Sequence, residues 1–220
     1  GQNNTGLGYY ALYANTTGTI NTALGRQALY NNTTGADNTA VGYALVNNTT
    51  GDNNTAVGYN TLTDQQTGNN NTAIGILALK ANTNGDNNVA VGQDSMKSNT
   101  DGDNNAALGA DSLGQNTTGH RNTACGFQSM VNTTEGTQNT ACGAQALKTN
   151  TTGSHNTALG RSSLYSNTAS NNVAVGKDSM YSNTSGTSNT AIGRSCLEAN
   201  TTADNNVGVG YGTLGVNTTG

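Results

Sequence analysis

The sequence predicts an all-β chain, a parallel β-solenoid (β-roll) of thirteen coils with a 17-residue period. Three observations predict it. A five-residue word, Asn-[Thr/Val/Ala]-Ala-[Leu/Val/Ile/Cys]-Gly, closes at Gly8, Gly25, Gly42, Gly58, Gly75, Gly92, Gly109, Gly126, Gly143, Gly160, Gly176, Gly193 and Gly210. The interval is 17 residues at ten of the twelve steps and 16 at the other two. Asn, Thr and Gly supply 37, 37 and 30 of the 220 positions, with no Pro. That composition opposes helix, and its strict periodicity separates it from a disordered low-complexity tract.

Each coil reads in order. Asn stands four residues before the Gly in all thirteen copies, from Asn4 and Asn21 to Asn189 and Asn206. In register it can bond to its own kind in the coils above and below. The three residues that follow alternate, as in Val89-Ala90-Val91, which is the period of a strand. Gly turns a corner, and a second short strand is expected to carry Leu or Met inward, from Leu12 and Leu29 through Met96, Met130 and Met180 to Leu214. Asn-Thr-Thr-Gly, as at Asn116 to Gly119, closes the coil through positions tolerant of left-handed backbone. A helical hairpin repeat would need about 33 residues or more. Coils stacked at roughly 4.8 Å form a rod on the order of 60 Å long. The two 16-residue coils lose a residue at a corner or loop.

The alternation leaves inside and outside open. The residue between the two larger strand positions is Ala at Ala23, Ala40, Ala56, Ala73, Ala90, Ala107, Ala124, Ala141, Ala158, Ala174 and Ala191, and Gly at Gly6 and Gly208. A uniformly tiny residue implies close approach of another backbone. The expectation is that the Ala face packs against neighbouring chains around a three-fold axis, as the interface of a homotrimeric fibre. The alternative is that Ala faces a cramped interior and the larger residues face out.

Asn88-Val89-Ala90-Val91-Gly92 and Asn172-Val173-Ala174-Val175-Gly176 resemble the Asn-Ser-Val-Ala-Ile-Gly word of YadA-like head repeats in trimeric autotransporter adhesins, and the resemblance extends over all thirteen copies. Similar repeats occur in phage-type tail fibres. The resemblance implies trimers of left-handed parallel β-rolls that display a binding surface at a cell or virion surface. The period here is longer than the family's usual coil, because the Asn-Thr-Thr-Gly loop is added.

Chemistry is sparse. Charged residues are 9% and the net charge is −4, so the Lys/Arg clusters that hold phosphate backbones are missing and nucleic acid is not an expected partner. No apolar run of membrane-spanning length exists. No cofactor, metal or catalytic constellation is expected, and the chain reads as no enzyme. Cys125 and Cys142 fill the aliphatic slot of adjacent coils and read as small hydrophobes, although a disulfide between them is conceivable; Cys196 fills a small-residue slot. His120 and His155 fall in loops two coils apart, and Asp37, Asp52, Asp86 and Asp103 recur near the loop end without reaching every coil. Tyr9, Tyr43, Tyr59 and Tyr211 recur just after the Gly, and Arg26, Arg161, Lys177 and Arg194 share that position. This stripe is a candidate surface for a glycan or host-surface ligand, or the rings merely shield ladder ends. Asn32, Asn116, Asn150, Asn200 and Asn217 spell glycosylation sequons, which an Asn/Thr-rich repeat produces by composition alone.

Residues 1–220 thus read as one β-solenoid repeat domain, expected to be a fragment of a longer fibrous protein whose open ends continue into further coils or stack end to end. The leading expectation is a non-enzymatic structural or adhesive extracellular segment, a stalk or head. The alternatives are an ice-binding β-solenoid, for which Thr ladders are the requirement, and a tail-fibre segment that binds surface glycans.

Overall fold

The structure is a computed structural model and describes residues 1–218. Thirteen strands follow one another along the chain: β1 (Thr5–Leu7), β2 (Thr22–Leu24), β3 (Thr39–Ala44), β4 (Thr55–Thr61), β5 (Thr72–Ile74), β6 (Val89–Val91), β7 (Ala106–Leu108), β8 (Thr123–Cys125), β9 (Thr140–Cys142), β10 (Thr157–Leu159), β11 (Val173–Val175), β12 (Thr190–Ile192) and β13 (Val207–Val209). They form a single parallel sheet in sequence order, so twelve turns of a solenoid join them. Register follows the sequence word: Thr22 pairs with Thr39, Ala23 with Ala40 and Leu24 with Val41. Beyond the strands the main chain still bonds coil to coil. The N–H groups of Leu29, Asn31 and Thr33 donate to the carbonyls of Ala44, Val46 and Thr49 at 2.9–3.2 Å.

The expected second strand is present in only two coils, where β3 and β4 run on through Gly42 and Gly58. Even there the strand stops before the Leu, and in those coils as in the others Leu or Met sits in a turn with left-handed backbone, Leu45 and Leu62 having φ of 50° and 47°. Leu29, Leu79, Met96, Leu113 and Met180, for example, have φ of 48–52° and are fully buried. A left-handed bulky residue costs on the order of 1–2 kcal/mol, and full burial of such a side chain contributes about 1.5–3 kcal/mol, so the apolar gain holds the strained corner. The glycine that closes each word has φ between 102° and 141°. At Gly109 an added Cβ would stand 2.7 Å from the Gly126 backbone of the next coil, so both conformation and close approach require glycine.

The two short coils lose different residues. Between Gly42 and Gly58 the left-handed residue after the Gly is missing: Tyr43 pairs with Tyr59 and Ala44 with Thr61, leaving Asn60 unmatched. Between Gly160 and Gly176 the loop reads Asn167-Thr168-Ala169, one residue shorter than Asn-Thr-Thr-Gly. The first loss falls where β3 and β4 run on past the Gly and the second falls in the loop, so the three residues before the Gly keep their inward and outward phase.

The Ala assignment is corrected. Ala23, Ala40, Ala56, Ala73, Ala90, Ala107, Ala124, Ala141, Ala158, Ala174 and Ala191 are all buried inside their own chain, and form one core with the Leu/Met column. They are not available as an intermolecular interface. The close element is the coil's own opposite wall. A Cβ on Gly6 would meet Leu12 Cδ1 at 3.5 Å, and one on Gly208 would meet Cys196 Sγ at 2.7 Å. The roll is too thin to admit anything larger than Ala across from Leu or Met.

Two columns of buried amides complete the interior. In the first, Asn38 takes its own N–H to Asn21 Oδ1 at 3.0 Å and donates Nδ2 to the Gly51 carbonyl at 2.8 Å. The same pattern recurs at Asn71, Asn88 and Asn122. The second column comes from the Asn of Asn-Thr-Thr-Gly, and it is amide to amide. Asn99 Nδ2 donates to Asn82 Oδ1 and Asn116 Nδ2 to Asn99 Oδ1, each at 2.7 Å, while Asn99 Nδ2 also reaches the Gly102 carbonyl. Thr133 interrupts this column and leaves both Asn116 Oδ1 and its own Oγ1 buried without a partner. Satisfied amide ladders of this kind supply the polar half of a core whose apolar half is narrow.

Candidate interaction face

With Ala inward, the other two strand positions point outward and make two columns on one sheet face. The first holds nine Thr, three Val and Ala106; the second holds Leu7, Leu24, Val41, Val57, Ile74, Val91, Leu108, Cys125, Cys142, Leu159, Val175, Ile192 and Val209. None of these 26 side chains is charged. Leu24 and Leu108 are 45% exposed although they lie within a continuous sheet. Neighbours within a column are one strand spacing apart, about 4.8 Å, and the columns are roughly 6.6 Å apart. The nine Thr Oγ1 atoms make no hydrogen bond within the described residues. The loop Thr behave differently: Thr16, Thr33 and Thr168 Oγ1 each donate to a carbonyl of the next coil at 2.9 Å.

The Tyr residues singled out from the sequence do not form one stripe. Tyr43 and Tyr59 lie in consecutive coils with ring centroids 5.8 Å apart, but Tyr9 belongs to the first coil and Tyr211 to the last. Tyr9 contacts Tyr10 with centroids at 4.0 Å, and contact with Tyr10 together with burial pushes the Tyr9 phenol up from its ordinary value. Arg194 stands over Tyr211 at 5.7 Å. The column after the Leu/Met is better ordered, with Tyr13 stacked on Tyr30 and Tyr165 on Tyr181 at 5.3 and 4.9 Å. Stacking covers one face of each ring, and Tyr13 remains 64% exposed.

The acidic recurrence has a structural cause. Asp52, Asp86 and Asp103 Oδ1 accept the main-chain N–H of Ala36, Asn69 and Asp86 in the preceding coil at 2.6–2.8 Å. Asn69 and Ser154 fill the same slot. So does His120, whose Nδ1 accepts the Asp103 N–H at 2.9 Å. That bond requires Nδ1 without a proton, so the nearby Asp103 carboxylate, 3.7 Å away, is an ion-pair partner only if the bond is given up. Asp103, Asn104, His120, Arg121, Thr137 and Gln138 line a shallow depression there. Among the described residues no group of three His, Cys, Asp or Glu could hold a metal ion, and no helix is long and apolar enough to cross a membrane.

Four of the sequons are closed by the fold. The Asn32, Asn116, Asn150 and Asn200 side chains are buried in the second amide column, where a glycan cannot be attached without opening the coil. That column was missed from the sequence, although its signal is there: the position is Asn in eleven copies, with Gln65 and Thr133 in the others. No family model matches the chain, and no curated protein matches it.

Proposed function

We propose that this chain is a segment of a non-enzymatic extracellular fibre at a cell or virion surface, a rod whose repeats set length and whose uncharged sheet face joins it to two further copies around a three-fold axis. The observation that carries the reading is the absence of charge from all 26 outward strand positions. A sheet face meant for water commonly carries Lys or Glu, and the aliphatic column beside the Thr is a contiguous apolar strip of the kind that marks an interaction site. A strip of roughly 58 by 10 Å offers on the order of 600 Å² per chain, which a three-fold arrangement divides between two neighbours, so the walls flanking the strip must complete each contact to reach a standard interface. The trimer assigned from the sequence to the Ala column is thus reassigned to the Thr and aliphatic columns. The fibre's ligand is a surface glycan or protein met by the remaining faces.

Light scattering across a dilution series tests it. The expected mass is three times 22.2 kDa, stable on dilution. The variant carrying Leu24→Lys, Ile74→Lys, Leu108→Lys and Ile192→Lys is expected at one times that mass with an unchanged circular dichroism spectrum. A wild-type chain that is monomeric at every concentration overturns the trimer.

A second reading is favoured by one specific observation. Nine Thr hydroxyls without protein partners, in register beside an aliphatic column, form the regular array that orders water at a crystal face. In a chain that is monomeric this face is free, and thermal hysteresis with shaped ice crystals is then the expected activity; its absence removes this reading.

A further inference from the structure

Cys125 and Cys142 end strands β8 and β9 and are directly paired in the parallel register, as Thr123 is with Thr140 and Ala124 with Ala141. Both point to the outward face, with Cys142 exposed and Cys125 half-buried. Parallel strands hold such Cα atoms about 4.8 Å apart, inside the 4.4–6.8 Å span that a disulfide bridges. Their Cβ atoms keep that same spacing, slightly beyond the usual 3.5–4.5 Å, so closing the bond draws two coils together by less than an ångström. The third thiol, Cys196, is buried on the opposite wall and does not compete.

We propose that Cys125 and Cys142 are a thiol–disulfide modification site, forming a reversible covalent clip between two consecutive coils by exchange with a low-molecular-weight disulfide. The more exposed Cys142 attacks first. Its thiolate bonds to one sulfur of the external disulfide and expels the other as a thiolate, which takes the proton Cys142 gave up. Cys125, deprotonated in turn, attacks Cys142 Sγ and displaces the second external thiolate, which takes that proton. Two protein thiols lose two electrons, and the external disulfide gains them as two thiols. Strain in the parallel geometry makes the bond easier to reduce than a relaxed structural disulfide. Burial, together with the neighbouring Cys125 thiol, pushes the Cys142 thiol up from its ordinary value, so the exchange accelerates as pH rises through the alkaline range. The site stands whether the rod is a monomer or a trimer.

The full chain is treated with oxidised glutathione under native conditions, denatured without reductant, alkylated and cut with trypsin. Residues 122–148 then form one peptide carrying both thiols, because Arg121 and Lys148 flank it. The expected product is that peptide two hydrogens lighter and closed to alkylation, reopened by mild reductant, with Cys196 still free. In Cys125→Ser, a glutathione adduct is expected to accumulate on Cys142 instead. A lasting adduct on Cys142 of the unaltered chain, a peptide linked to a second copy of itself, or two thiols that remain alkylatable would each overturn the proposal. Light scattering in reductant reads the assembly separately, so the two readings fail independently.

Discussion

Thr133 is one weak point of the buried amide column; Asn150 and Asn200, whose Oδ1 atoms are likewise buried without a donor, mark two others. Asn116 Oδ1 is left without a donor at Thr133, while the flanking Asn116 and Asn150 Nδ2 groups keep the Gly carbonyls that follow them. Thr133→Asn restores a donor for Asn116 and an acceptor for Asn150, and is expected to stabilise the rod by about 0.5–1.5 kcal/mol for each bond made, read as a higher denaturation midpoint. Asn99→Ala does the reverse, orphaning buried partners at about 1–3 kcal/mol. Leu113 is fully buried at a φ of 49°; Leu113→Ala leaves the strained corner without its apolar gain and is expected to lose about 2–5 kcal/mol. Acid acts at Asp204, whose carboxyl is held below its ordinary value by the Thr187 N–H and hydroxyl. A depressed carboxyl stabilises the fold above the ordinary carboxylate range and loses that contribution as pH falls through the lowered value. The protection factor of the Thr187 amide, its exchange relative to an unstructured peptide at the same pH, is therefore expected to fall in acid, and Asp204→Asn to remove that pH dependence.

The coil tolerates change at its corners and not in its strand. Asp111 occupies the left-handed corner position whose counterpart is absent between Gly42 and Gly58, and Thr118 the loop position absent between Gly160 and Gly176. Deleting either is expected to leave a folded rod with a modestly lowered melting temperature, whereas deleting Ala107 moves Leu108 to the inward phase and is expected to unfold the surrounding coils. Strand positions, register, the Gly corner and both short coils were legible in the sequence, because each depends on spacing alone. The second strand was not, because an inward Leu at a fixed offset is compatible with a strand or with a left-handed turn, and burial decides between them. The direction of the strand face was also illegible. Thr39-Ala40-Val41 alternates equally well with either face inward, and only the width of the roll, set by Leu or Met from the opposite wall, selects Ala.

At the scale of the whole molecule the roll inverts an ordinary solenoid. Ala, Asn and a single Leu or Met fill a thin interior, and the branched aliphatics that would fill a thicker one stand outside on an uncharged face. The proposal of an assembling fibre rests on that inversion. Ala107 and Leu108, adjacent in β7, separate the two arrangements. Melting followed by circular dichroism on Ala107→Leu and Leu108→Lys is the most direct test. Overpacking of the sealed core is expected to cost Ala107→Leu about 1–3 kcal/mol or more, with a large drop in melting temperature, while Leu108→Lys keeps the folded spectrum and loses only what contact with other copies contributes. A chain that accepts Leu at 107 and unfolds with Lys at 108 has its aliphatic column inside, and the account of the face would be wrong.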